Sequence, residues 1–115
     1  MGCFMSESKE LMLVLVMAPD ISIAREIATV LVDRKIAACV NISPNWNSIY
    51  RWEGKIQEDT EVLLLIKTRT EHLDDQLIPI IQENHPYDLP EIIALPIVDG
   101  EENYLEWVMN VTGEE

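Results

Sequence analysis

Apolar residues run unbroken from Leu11 to Ala18 (LMLVLVMA), the pattern of a central strand covered on both faces. Pro19-Asp20 ends the run. The spacing then turns helical, with Ile23, Ile27, Val30 and Leu31 on one side and Arg25, Glu26, Asp33 and Arg34 mostly on the other. This predicts a helix over Ser22 to Lys35 with Ser22 as its N-cap. A second strand begins at Cys39–Ile42, is interrupted by SPNWNS, and resumes in IYRW (Ile49 to Trp52). After the polar turn EGK a further apolar run, TEVLLLIKT (Thr60 to Thr68), completes a hairpin. Its arms are long, and long arms leave unpaired backbone edges that need a partner.

Helical spacing returns from Glu71 to Asn84 through Leu73, Leu77, Ile80 and Ile81, with Pro79 inside the pattern. HPYDLP stops that helix, because each proline biases its predecessor away from helical geometry. EIIALPIV (Glu91 to Val98) is a fourth strand, and Pro96 marks it as an edge. Asn103 to Val111 is a short amphipathic helix with Tyr104, Trp107, Val108 and Val111 on one stripe. The order β-α-β-β-α-β plus a terminal helix defines an α+β, ferredoxin-like sandwich: antiparallel strands with both main helices on one face. Met1 to Glu10 reads as a flexible tail, and Leu11 to Thr112 as one domain.

Charge narrows the function. The 115 residues carry 21 acidic and 8 basic side chains, a net charge of −13 that repels nucleic acid. No apolar run approaches the ~20 residues of a membrane span, and no secretory signal opens the chain. Two cysteines make no disulfide framework and suit a reducing, cytoplasmic setting. MGCFMS fits the pattern for myristoylation at Gly2, with Cys3 beside it as a palmitoylation site. Short patterns recur by chance and the body is strongly acidic, so lipidation and membrane attachment are not the expected reading.

Catalytic signatures are missing: no glycine-rich phosphate loop, no nucleophile elbow, no Cys–His pair at a recognisable spacing. The reading is therefore non-enzymatic. Soft or borderline metal ligands number four: Cys3, Cys39, His72 and His85. Cys39 is expected as a small core residue, His72 as a surface residue at a helix start. His85 either caps the end of a helix or holds a metal. Trp46, Tyr50, Trp52, Tyr87, Tyr104 and Trp107 stand near loops and element ends, as at interfaces or clefts. Lys67 ends an apolar strand and is expected to form an ion pair.

Several segments together resemble the CutA divalent-cation-tolerance family: APD (Ala18 to Asp20), KIAACVNI (Lys35 to Ile42), SIYRWEGKIQEDTE (Ser48 to Glu61), IKT (Ile66 to Thr68), HPYDLPEI (His85 to Ile92) and YLEW (Tyr104 to Trp107). The resemblance implies a homotrimer in which long hairpin strands pair between subunits, with Tyr50, Trp52 and Pro90 near a subunit boundary. It also implies an association with copper and other divalent cations. Family members can place a cysteine where this chain has Val16 and a second histidine where it has Asn84. Only His85 remains of that set, so no cofactor is required and metal binding is at most weak. The alternative is a regulator that resembles the trimeric PII signalling proteins. It would bind a small molecule or protein partner in inter-subunit clefts lined by Tyr50, Trp52, Lys67 and Tyr87.

Overall fold

The computed structural model describes residues 10–113. In chain order the elements are β1 (Leu11–Ala18), α1 (Ile21–Asp33), β2 (Ala37–Trp52), β3 (Lys55–Arg69), α2 (Ile78–Asn84), β4 (Ile92–Pro96) and α3 (Glu102–Val111). The strands form one antiparallel sheet in the order β2-β3-β1-β4. That is the α+β sandwich expected from the hydrophobic pattern, with β4 at an edge as Pro96 requires.

Alternation decides the core. Val14, Val16 and Ala18 of β1 share a face with Val62, Leu64 and Ile66 of β3, and all are buried against Ala24, Ile27 and Leu31 of α1 and Leu77, Ile80 and Ile81 beside or within α2. The intervening residues point to the opposite face. There Leu13, Leu15, Met17, Leu63 and Leu65 are only half-buried, while Ile93 and Leu95 remain 46% and 44% exposed. α3 covers one end of this second face, where Val108 packs with Leu11 and Ala38. The rest of it is open.

Local departures from expectation have identifiable causes. The N-cap of α1 is Asp20 rather than Ser22: its carboxylate accepts from the Ile23 N–H at 2.9 Å. SPNWNS does not interrupt β2. Pro44 and Asn45 form a bulge between Ser43 and Trp46, with Asn45 at φ 67°, and the strand continues on the edge of the sheet, where a missing proline N–H breaks no ladder. The hairpin turns through Glu53 (φ 52°) and Gly54 (φ 78°), the two left-handed residues of a type I′ turn.

The helix expected over Glu71 to Asn84 is three pieces: a 3₁₀ turn (Thr70–His72), a π turn (Leu73–Leu77) and α2. Pro79 thereby falls in the first turn of α2, where its absent N–H costs least. On α3 the buried residue is Val108, whereas Tyr104 and Trp107 are each 42% exposed and lie against one another at 5.5 Å. Glu10, at the start, is tied down by its carbonyl, which accepts from the Thr70 N–H at 2.9 Å.

Candidate functional site

His85 follows the last residue of α2 in an extended conformation, and its ring turns back beneath β1. The residue is buried, with 6% of its surface exposed. Nε2 lies 2.7 Å from the Met17 carbonyl, which can only accept, so Nε2 carries the proton. Nδ1 then accepts from the Tyr87 backbone N–H at 3.2 Å. Neutral imidazole satisfies both bonds, and neither nitrogen is left with a free lone pair. The HPY segment is thus a corner whose histidine fastens it to the sheet.

That corner sets Tyr87. Its ring lies 4.8 Å from the His85 ring, and its hydroxyl reaches the Glu61 carboxylate at 3.5 Å. Between this loop and the turn-end half of the β2–β3 hairpin opens a cleft of about 650 Å³. Tyr50, Trp52 and Tyr87, expected in a cleft between subunits, line this cleft of the single chain together with Glu61, Asp88 and Glu91. Sequence reasoning missed Glu61, which pairs across the strands with Trp46 and is 8% exposed. The signal available was its position, last polar residue before an apolar run.

Negative charge dominates the cleft. The Tyr50 hydroxyl donates to the Asp59 carboxylate, and chiefly that bond pushes its pKa up to about 12. Burial raises Tyr87, with the Glu61 and Asp59 charges adding to it. Lys67, the fourth predicted cleft residue, is elsewhere. It pairs with Leu13 and Cys39, six residues further along β3 from Glu61, or ~20 Å by strand rise. No carboxylate meets it among the described residues. Its ammonium donates to the Asn41 side-chain oxygen and approaches the Cys39 sulfur at 3.8 Å, because both are its neighbours on the less covered face. Cys39 is accordingly half-buried on that face and not a core residue.

His72, expected at the surface, is buried. Its Nε2 donates to the Thr112 carbonyl at 2.7 Å and its Nδ1 accepts from Gln76 at 3.0 Å, which docks the C-cap of α3 onto the turn after β3. Val16 is wholly buried in the core, and Asn84 donates to the Ile80 carbonyl at 2.8 Å. Among the described residues no three His, Cys, Asp or Glu side chains converge as metal ligands. The residues present therefore do not fit a closed metal centre built by one chain. Gly2 and Cys3 lie outside the described residues.

The long hairpin, the open second face and the carboxylate-aromatic cleft are features of a small α+β, ferredoxin-like domain. Residues 12–111 match the CutA1 divalent ion tolerance protein family. A divalent-cation tolerance protein CutA from Thermus thermophilus is 49% identical over 87% of this chain and 96% of its own length. Its solved structure covers 90% of this chain and 99% of its own with a TM-score of 0.87. The chloroplastic CutA of Arabidopsis thaliana is 48% identical over 86% of this chain, which spans about half (54%) of that relative. The periplasmic divalent cation tolerance protein CutA of Archaeoglobus fulgidus superposes with a TM-score of 0.86 at 35% identity, over 90% of this chain and 99% of its own. The chain belongs to the CutA divalent cation tolerance family. The relatives named are all CutA proteins, and nothing in them favours the PII-like alternative.

Proposed function

We propose that this chain serves divalent-cation tolerance as a non-enzymatic, cytoplasmic homotrimer, and that it does so without a fixed metal centre in the domain. The observation that carries the reading is the double engagement of His85: a cation could take either ring nitrogen only by breaking the bond to Met17 or to Tyr87. Copper binding is then weak, and the cation effect is indirect or spread over a strongly acidic surface. Assembly has separate support. The open sheet face is apolar at Leu63, Leu65, Ile93 and Leu95, and β2, at an edge, is 16 residues long. In a trimer these surfaces are covered by neighbouring copies of the chain. Neighbours differ in compartment, one relative being chloroplastic and another periplasmic. Among the described residues no helix is long and apolar enough to cross a membrane.

Calorimetric copper titration of metal-stripped protein tests the reading, run beside His85→Ala and a deletion of Met1 to Lys9. The deletion removes Met1 and Cys3, which with the free amine can bind copper on their own. The expected result is no saturable binding tighter than about 10 µM once the tail is gone. Tight binding that survives the deletion and is lost in His85→Ala would overturn it.

A further inference from the structure

Basic side chains are distributed unevenly over the sheet. Among the described lysines and arginines, Arg25, Arg34, Lys35, Arg51 and Lys55 are exposed, and only Lys67 and Arg69 are drawn partly below the surface. Arg69 meets the Glu71 carboxylate at 3.1 Å. Lys67 meets no carboxylate among the described residues, although the chain carries 21 acidic side chains. Its ammonium donates to the Asn41 side-chain oxygen and lies 3.8 Å from the Cys39 sulfur. A neutral amide oxygen and a weak thiol acceptor leave the charge without a counterion. Around it the second face is apolar, with Leu13 opposite on β1 and Leu65 two residues back on β3. In the single chain water completes the solvation of Lys67, because this face is open. Covering the face with another subunit removes that water, and a desolvated ammonium is costly without an anion.

We propose that Lys67 takes a carboxylate from a second copy of this chain when the trimer forms, and that this pair fixes how the copies register on the open face. The pair presupposes the trimer proposed above. A carboxylate is the group that a chain of net charge −13 presents in excess. Copies so alike in charge repel one another, and a cation set within the contact face turns that repulsion into attraction at one place. Contacts among Leu13, Leu65, Ile93 and Leu95 carry no direction, so they tolerate several placements of a neighbour. A lone cation that one placement neutralises, and the others leave bare, selects among them. Arg69 cannot serve in this way, since Glu71, Thr112 and the Met109 carbonyl already occupy its guanidinium.

The test is carbodiimide coupling, which joins an ammonium and a carboxylate in contact as an amide. It is applied to the full chain assembled from equal parts of ordinary and isotope-labelled protein, after sedimentation has established the trimer. Peptide mapping is expected to find Lys67 linked to an aspartate or glutamate of the other isotope, and Lys67→Met to lose that link. Lys67→Glu, at a half-exposed position that the single chain tolerates, should stay folded by circular dichroism yet assemble about tenfold or more weakly, while Lys67→Arg assembles normally. Three results overturn the proposal: a trimer in which Lys67 forms no link, a link confined to its own chain, or Lys67→Glu assembling as tightly as wild type. A trimer without the link that added malonate stabilises in wild type but not in Lys67→Met assigns the site to a free carboxylate and equally overturns it. A wild-type monomer, seen by sedimentation before any coupling, overturns the trimer itself and the pair with it.

Discussion

The Nε2–H of His85 donates to the carbonyl of Met17, 68 residues earlier in the chain, across 2.7 Å. This bond closes the HPY corner onto β1, and through the Nδ1 acceptor it fixes the backbone of Tyr87. A residue type associated with metals is here a structural pin.

Removing the pin exposes its worth. His85→Ala leaves the Met17 carbonyl and the Tyr87 N–H without their partner in a mostly buried setting, at a cost of about 2–4 kcal/mol. Guanidinium unfolding reads this as a lower midpoint with an unchanged slope. An unchanged midpoint would mean that water replaces the ring without loss.

Phenol titration supplies a pH signature. All three tyrosines lie above their ordinary value of 10 in the folded protein: Tyr50 through Asp59, Tyr87 through burial and Glu61, Tyr104 through burial beside Cys39. A raised acid holds its proton more tightly when folded. The resulting stabilisation is complete below pH 10 and is lost as pH rises toward about 12, where Tyr50 ionises. Absorbance of the phenolate therefore shows no group titrating at the ordinary value until the protein unfolds. Asp59→Asn brings Tyr50 back toward 10.

Arg69 fastens the last helix. Its guanidinium donates to Thr112 Oγ1 at 3.1 Å, to the Met109 carbonyl and to Glu71 at 3.1 Å. Arg69→Ala should cost about 2–3 kcal/mol and speed amide exchange through Glu102–Val111. Lysine does not rescue it, since a point charge cannot serve three acceptors set in a fork. Gly113→Ala should give a milder form of the same loss, because a Cβ there would lie 2.7 Å from Arg69 Nη2 and push it off Met109.

Period and punctuation make most of this fold legible in the sequence. Alternation through Val62, Leu64 and Ile66 and helical spacing through Ile27 and Leu31 specify which face is buried. What stayed hidden depends on partners distant in sequence. His72 has the polar surroundings of a surface residue, and only the arrival of Thr112 buries it. Lys67 was expected to meet a carboxylate, but the register sets Cys39 and Asn41 beside it instead. Glu61 gave no sign of burial because its cover, Tyr87, comes 26 residues later. Pro44 disguised a continuous strand, since a bulge leaves the alternation out of step on either side.

Sedimentation equilibrium at low micromolar concentration tests most directly whether the open sheet face is a subunit contact. Wild-type protein should run as one species of three chains, and Leu95→Glu, at a position 44% exposed in the single chain, should remain folded but run as a monomer. A wild-type monomer, or a trimer that Leu95→Glu leaves untouched, would contradict the account.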